Sequence, residues 1–260
     1  MRIVVLAKPV PDTTGQERLG PDFRVDRAAS PAVVNANDDY ALEAALKLRE
    51  TAGEGSVTLL AMAPATAPDT LRKALAMGAD SGVLVTDDAL AGSDTLSTAR
   101  VLAAALGKLD YDMVLAGADT SDGGTGTIGA GIAALLGLPY LSYAARIVPG
   151  GGRVRVHRIS PTGFDVLDSP LPALIVATQA LGEPRYPSLK GIMAARSKTI
   201  QVWSLADLGL DPATVGGATS TTRVLRTQAP PPRAATRVVR GPADAAAAEL
   251  VTFLAERRLI

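Results

Sequence analysis

This sequence predicts an α/β fold: a parallel-type sheet flanked by helices, extended by antiparallel strands, with a C-terminal linker and helix. Three observations carry that reading. Short β-branched runs alternate with longer helix-period stretches over residues 1–140, the pattern of a parallel sheet covered by helices. Past residue 139 the rhythm changes to alternating strands joined by tight turns. Residues 211–243 are then rich in Ala, Thr, Pro and Gly, with no sustained apolar periodicity, before one last helical run.

The first strand is RIVVLA (2–7), too short an apolar stretch for a secretory signal with its cleavage site. DDYALEAALKLRE follows as an amphipathic helix, with Ala41, Ala44, Ala45 and Leu48 on one face and Glu43 and Lys47 as an exposed i,i+4 pair. SVTLLAM (56–62) is the second buried strand. PDTLRKALAMGAD has Pro68 near its start and Gly78 near its end, the punctuation of a helix. GVLVT (82–86) gives a third strand, SDTLSTARVLAAALGKL a helix with a serine or aspartate N-cap, and MVLAGA (113–118) a fourth strand. PYLSYAARIV, the turn PGGGR and RVRVHRIS read as antiparallel strands that extend the sheet ahead of the buried run ALIVATQ. In the tail PADAAAAELVTFLAERRLI, a narrow stripe of Ala247, Leu250, Val251 and Leu254 needs burial on its own domain or on a partner. A linker of about 30 residues can span many tens of Å.

Composition narrows the chemistry. Of 260 residues, 47% are hydrophobic and only 3% aromatic, so a large core is built mainly from Ala, Val, Leu and Ile. Lys plus Arg number 26, as do Asp plus Glu, which leaves no overall charge to draw nucleic acid or an anionic membrane. The absence of cysteine excludes disulfides, thiolate chemistry, Fe–S clusters and Cys-based zinc sites. No run approaches the ~20 apolar residues of a membrane span, and the chain is expected to be cytoplasmic. His157, the single histidine, falls in an alternating strand as a surface residue rather than a base, and no G-x-S-x-G elbow occurs. The carboxylates are scattered and form no catalytic constellation.

The most informative chemistry lies in LAGADTSDGGTGTIGAGIAALLGLP. A strand runs into a loop holding Asp122, Gly123, Gly124, Thr125, Gly126 and Thr127, then into a helix with Ile132, Leu135 and Leu136. Strand, glycine loop and helix N-terminus together present backbone N–H groups to an anion, and the two threonines add hydroxyl donors. The loop fits neither a Walker loop, lacking its Lys-Ser/Thr, nor the dinucleotide fingerprint. Two readings follow: a site for a nucleotide monophosphate, or for the phosphate part of a larger nucleotide, and a glycine-rich turn that binds nothing. Asp122 is an acceptor or turn-former more readily than a base. Asn35 and Asn37, just before the first helix, either read a base edge or cap the helix. Lys8, after the first strand, either balances a phosphate or is solvated.

These residues, taken with "VVLAKPVPDT", "ALEAALKLRE", "TLRKALAMGAD", "LPALIV", "EPRYPSLKGIMAARSK" and "ERRLI" in that order along the chain, resemble the β subunit of electron transfer flavoprotein, of the FixA type. The segment EPRYPSLKGIMAA is the most specific of them. The resemblance implies an adenine nucleotide α-hydrolase-like sheet in a nucleotide-binding domain over residues 1–210, including a docking loop at 183–197. From their apolar stripe, residues 211–260 are expected to be a linker and helix packing on the partner subunit. The resemblance also implies a heterodimer whose α subunit mainly holds the redox-active FAD, with one AMP in this subunit doing no chemistry. The AMP pocket is then expected at Leu6, Ala7, Asn35, Ala36, Asn37, Asp38, Met62 and Asp122 to Gly129, that is Gly123, Gly124, Thr125, Gly126, Thr127 and Ile128 between them. In bifurcating members the same site holds a second FAD.

Docking is expected at Pro184, Arg185, Tyr186, Leu189, Ile192 and Met193. Pro184 and Pro187 restrict the chain as it leaves the strand, so that SLKGIMAAR starts a short helical turn at a fixed point. Leu189 at its start either caps its own loop or, as the resemblance implies, anchors an acyl-CoA dehydrogenase-type partner of fatty acid oxidation, with electrons passing on to the membrane-bound electron transfer flavoprotein-quinone oxidoreductase. The family's lysine-rich run after this loop is reduced here to Arg196 and Lys198, and Ile159 and Pro161 stand where the family usually has charge and turn residues. The rival of another class is a freestanding universal-stress-like nucleotide-binding regulator. An enzyme of the ATP-pyrophosphatase group is set aside, because KPVPDT follows the first strand where that group has S-G-G-x-D-S.

Overall fold

A computed structural model describes residues 1–14, 18–228, 231, 236 and 238–260. In chain order its elements are β1 (Arg2–Leu6), β2 (Pro9–Pro11), β3 (Ala32–Val34), α1 (Ala36–Ala52), β4 (Ser56–Met62), α2 (Pro68–Met77), β5 (Ser81–Val85), α3 (Thr95–Leu106), β6 (Met113–Gly117) and α4 (Ile128–Leu136). There follow β7 (Tyr140–Gly150), β8 (Arg153–Ser160), β9 (Gly163–Pro170), β10 (Ala173–Ala177), α5 (Leu189–Ala195), β11 (Ile200–Trp203), α6 (Leu205–Leu208) and α7 (Ala243–Glu256).

Side-chain alternation builds two cores. Ile3 and Val5 of β1 face one layer, with Ala41, Leu42, Ala45 and Leu46 of α1 and Leu71 and Leu75 of α2. Val4 and Leu6 face the other, with Val101, Leu102 and Leu106 of α3 and Ile132 of α4. Strands covered on both faces read as continuous apolar runs, which is why the parallel strands were legible. The sheet order is β11-β5-β4-β1-β6-β10-β7-β8-β9. From β1 the chain steps outward through β4 and β5, then crosses back so that β6 lies on the opposite side of β1, both neighbours being parallel to it. The carboxyl ends of β1 and β6 therefore border a topological switch point, where open α/β sheets leave a crevice.

β7 begins parallel to β10, then runs on to pair antiparallel with β8, which pairs with β9. β10 returns to fill the place between β6 and β7. This is the antiparallel extension the sequence predicts. On β8, Val154 and Val156 are buried while Arg155, His157 and Ile159 take the opposite face, beside exposed Phe164 and Val166 of β9.

The first compact unit spans Met1–Val224 and the second Leu225–Ile260. The expected division was at 210, yet residues 211–224 carry anchors to the first unit. Val215 is buried in the α3 and α4 core, and the Gly216 N–H donates to Ser97 Oγ at 3.2 Å. Asp94 caps α3 by accepting the Ser97 N–H at 2.9 Å, and its second oxygen accepts the Thr221 N–H and hydroxyl at 2.7 and 2.9 Å. Of the expected linker 211–243, residues 229, 230, 232–235 and 237 lie outside the described residues. In the second unit, α7 buries no residue; Ala247, Leu250 and Val251 of its stripe are exposed and Leu254 is half-buried.

Asp94 is thus a helix cap and a tether at once. The Ser97 N–H holds its carboxyl down to about 2, against partial burial and with help from Thr221 and Ser220. Because the folded value lies below the ordinary one, the stabilisation is present above about pH 4 and fades as pH falls towards 2. Asp94→Ala is expected to cost about 1–2 kcal/mol in urea unfolding at pH 7, with the deficit against wild type shrinking below pH 4. Hydrogen exchange should rise at residues 216–222; an unchanged exchange rate there would show that Asp94 does not tether them.

Candidate functional site

Asp38, in the first turn of α1, joins the two sides of the switch point. Its Oδ2 accepts the Lys8 N–H at 2.9 Å, just past β1, and its Oδ1 accepts the Gly117 N–H at 3.3 Å, at the end of β6. Burial pushes this carboxyl up to about 7, against those bonds and the Asn35 side chain, and burial alone raises Asp39 to about 6. Such an approach needs a glycine at 117: a Cβ there would lie 2.5 Å from Asp38 Oδ1 and 2.6 Å from the Asn37 carbonyl carbon.

Asn35 does not follow the capping reading. It makes no side-chain cap on α1. Almost fully buried, its Nδ2 donates to the Asp119 carbonyl at 2.8 Å and its Oδ1 accepts the Ser121 N–H at 3.2 Å. Both ends of the amide brace the loop after β6, so the residue shapes the site. Asn37 reinforces this by donating to the carbonyl and the carboxylate of Asp119. Ala36, the first residue of α1, is exposed beside them. Leu6 and Ala7 are buried in opposite cores, while Met62, ending β4, is half-buried against the same core as Leu6. Leu6 and Met62 end their strands, and Ala7 follows β1, at the carboxyl edge of the sheet.

The loop itself carries charge and free donors. The Asp122 side chain is 1% exposed, pairing with Lys8 Nζ at 2.9 Å and with Arg27 Nη2 on its other oxygen. Burial pushes its carboxyl upward, but Lys8, Arg27 and the Thr120 hydroxyl prevail and hold it at about 2. Gly124 and Gly126 adopt left-handed backbone, at φ 58° and 61°. Gly129 serves packing, since a Cβ there would come within 3.2 Å of Leu174 and Val176 and push α4 off the sheet. Thr127 makes no side-chain cap, Thr125 and Thr127 are exposed and Ile128 is half-buried. Among the described residues, no backbone N–H from Thr125 to Ala130 donates to a protein acceptor. An N–H cluster at a helix start, with glycines that let an anion approach and two cations on the aspartate that opens the same loop, fits a phosphate group.

The second expected site forms around α5. Ser188 caps the helix, accepting the Gly191 N–H at 3.0 Å. Gly191 lies against the Ala76 carbonyl of α2 so closely that any Cβ would clash, while Arg72 donates to the carbonyl of Ala195 at 2.8 Å. So fixed, the segment holds Tyr186 at 95%, Leu189 at 82%, Met193 at 72% and Ile192 at 44% exposure. Pro184 is half-buried at its base.

Arg185, expected at the docking surface, turns inward. Its guanidinium donates to Glu43 Oε2 at 2.7 Å and Oε1 at 3.1 Å, and to Glu50 at 2.5 and 3.0 Å, while its backbone N–H reaches Glu43 at 3.1 Å. Glu43, expected on the solvent face, is buried beneath this segment, though its pair with Lys47 persists at 3.5 Å. Burial favours the neutral acid, yet Arg185 and Lys47 keep Glu43 below its ordinary value. Lys198 also turns inward, donating to the carbonyls of Leu75 and Ala79 at 3.0 and 2.6 Å.

A family model described as the electron transfer flavoprotein domain matches residues 22–208. An electron transfer flavoprotein subunit beta of Mycobacterium tuberculosis is 38% identical over 264 residues, covering 99% of each chain. The chain belongs to the electron transfer flavoprotein β-subunit family. A subunit beta of Clostridium acetobutylicum is 36% identical over 261 residues, and a caffeyl-CoA reductase-Etf complex subunit of Acetobacterium woodii is 36% identical over 263, each comparison covering 100% of both chains. Membership carries a role in electron transfer and an α subunit as partner. No described helix is long and apolar enough to cross a membrane, and the described residues contain no group of three His, Asp or Glu side chains placed to hold a metal ion.

Sequence reasoning missed Gly117, Arg27 and the two glutamates under Arg185. A glycine ending a buried strand was a usable signal for Gly117. Arg27 lies where no periodicity marks it, and Glu43 and Glu50 look like ordinary solvent-facing helix positions.

Proposed function

We propose that this chain holds AMP structurally at the carboxyl ends of β1 and β6, supports an FAD-carrying α subunit, and docks flavin dehydrogenases through residues 183–197. Electrons then pass through the α subunit's FAD to a quinone reductase. The observation that carries the nucleotide reading is the run of unpartnered N–H groups from Thr125 to Ala130 in the loop whose Asp122 holds Lys8 and Arg27. Thr125, Gly126, Thr127 and the start of α4 would hold the phosphate, while Asn35 and Asp38 keep the loop in place. AMP would contribute packing and charge, and no redox chemistry.

The docking reading rests on an apolar stripe, Tyr186, Leu189, Ile192 and Met193, that a single-chain fold has no reason to hold out in solvent. The helix Ala243–Glu256, with no buried residue of its own, supports packing of the tail on the α subunit. A second reading, in which the nucleotide site takes a further FAD, draws support from the similarity to a subunit of a caffeyl-CoA reductase-Etf complex.

Nucleotide extracted from the co-purified heterodimer is expected to be FAD and AMP in equal amounts; two FAD without AMP would favour the second reading, and no nucleotide beyond one FAD would remove the site. Thr127→Asp is expected to empty it by setting a carboxylate at the phosphate position, while the fold survives because aspartate is a good helix cap. For the tail, burying Leu250, Val251 and Leu254 is worth roughly 3–5 kcal/mol at most. Removal of residues 240–260 should therefore weaken heterodimer formation in analytical ultracentrifugation and spare the fold of the sheet. Equal affinity without the tail would count against its packing on α.

Leu189→Ala is expected to cost about 1–3 kcal/mol of dehydrogenase affinity, as truncation of an anchor does. Steady-state reduction of the heterodimer by an acyl-CoA dehydrogenase would read this as a raised Michaelis constant at unchanged nucleotide content. Identical kinetics in the variant would return the loop to a structural role.

A further inference from the structure

Arg27 reaches the candidate phosphate loop from a part of the chain that neither the glycine loop nor α1 predicts. Residues 18–26 form a small hairpin of their own: Leu19 and Val25 are bridged, the Asp26 N–H donates to the Arg18 carbonyl at 2.8 Å and the Gly20 N–H to the Arg24 carbonyl at 2.8 Å. Two arginines fix this strap to the carboxyl edge of the sheet. Arg24 lies against Gly92 and Gly217, both of which leave it room by lacking a Cβ. Arg27 bonds Asp122 and, at 3.4 Å, the Pro9 carbonyl.

The exposures of the trio differ in an informative way. Asp122 is sealed at 1%, whereas the side chains of Lys8 and Arg27 are 37% and 43% exposed. A buried carboxylate therefore holds two cations by one side each and leaves their other donors open. Lys8 spends its donors on Asp122 at 2.9 Å and Thr120 at 3.4 Å, and its ammonium would lie 3.7 Å from a Cβ on Gly123, at the start of the glycine loop. An ammonium has three donors and a guanidinium five, so both retain N–H groups after these bonds. Asp122 cancels one of the two charges, leaving the trio at net +1 at the start of the glycine loop that leads into α4.

We propose that Arg27, delivered by the 18–26 strap and held ready by Asp122, is a direct ligand of the nucleotide's phosphate, acting with Lys8 as the feature that selects a nucleoside monophosphate over a nucleoside. This rests on the nucleotide reading of the site and adds two side chains to it. The phosphate gains charge-assisted hydrogen bonds from both cations, and Asp122 is a positioning residue that keeps them in place without entering the site. A nucleoside, having no charge to offer, gains nothing from either.

The experiment is calorimetric titration of AMP and of adenosine into the nucleotide-free, full-length chain, comparing wild type with Arg27→Gln and Arg27→Lys; melting curves establish that each variant is folded. Arg27→Gln is expected to weaken AMP about tenfold or more while leaving adenosine unchanged, with Arg27→Lys recovering part of the loss. AMP affinity in Arg27→Gln equal to wild type would overturn the proposal and leave the nucleotide site standing. Equal losses for AMP and adenosine would also overturn it, since Arg27 would then only shape the strap. A wild-type chain that binds neither would bring down the nucleotide reading, and this proposal with it.

Discussion

The carboxyl edge of the sheet depends on Asp38 accepting backbone N–H groups from Lys8 on one side and Gly117 on the other. In an open α/β sheet the connections that leave the paired strands at the switch point turn to opposite faces, and the strand ladder, which ends before them, does not set the width of the crevice between them. Here one carboxylate does so. It can lie close enough only because residue 117 has no side chain, and it is buried enough that its own ionisation becomes costly. Asn35, one turn earlier, extends the same support to the loop that follows β6.

Helix α1 then serves two places at once. Its N-terminal turn organises the glycine loop, and further along the same helix Glu43 and Glu50, seven residues apart and so on one face, take the guanidinium of Arg185. The apolar residues of the 186–193 segment stay exposed because the segment is fastened from below, by Arg185, by Arg72 and by the contact of Gly191 with α2. Polar groups are used inside the chain to hold an apolar surface outside it. A protein that must present a rigid hydrophobic anchor gains from this, since ordering the loop on binding would cost conformational entropy.

Two of the buried acids, unlike Asp38, follow one rule. Asp122 and Glu43 are each sealed from solvent, and each is met by two cations that overcome the burial penalty. Both acids tie together segments distant in sequence: Asp122 joins the β6 loop to β1 and the strap, and Glu43 joins α1 to the chain after β10. These pairs fix relative placement, a role that the apolar cores, being tolerant of small slips, fill less well.

The sequence by itself determined the layered α/β architecture, the parallel strands β1, β4, β5 and β6, the helices between them, the antiparallel extension after Pro139 and the glycine loop as the place of greatest chemical interest. Those features are local: periodicity, capping and turn residues are read within one window of chain, and strands buried on both faces announce themselves as apolar runs. Its resemblance to the family also rested on contiguous strings. What only the tertiary structure decided was the partner of each polar group. Asn35 was open to capping or base reading and proved to brace a loop more than eighty residues away, Arg185 was assigned to the surface and proved to be a clamp, and Glu43 was placed in solvent and proved to be buried. Arg27 gave no signal at all. A hydrogen bond or ion pair across the fold depends on where two segments meet, and that meeting is set by sheet order and crossover, which no single window of sequence contains.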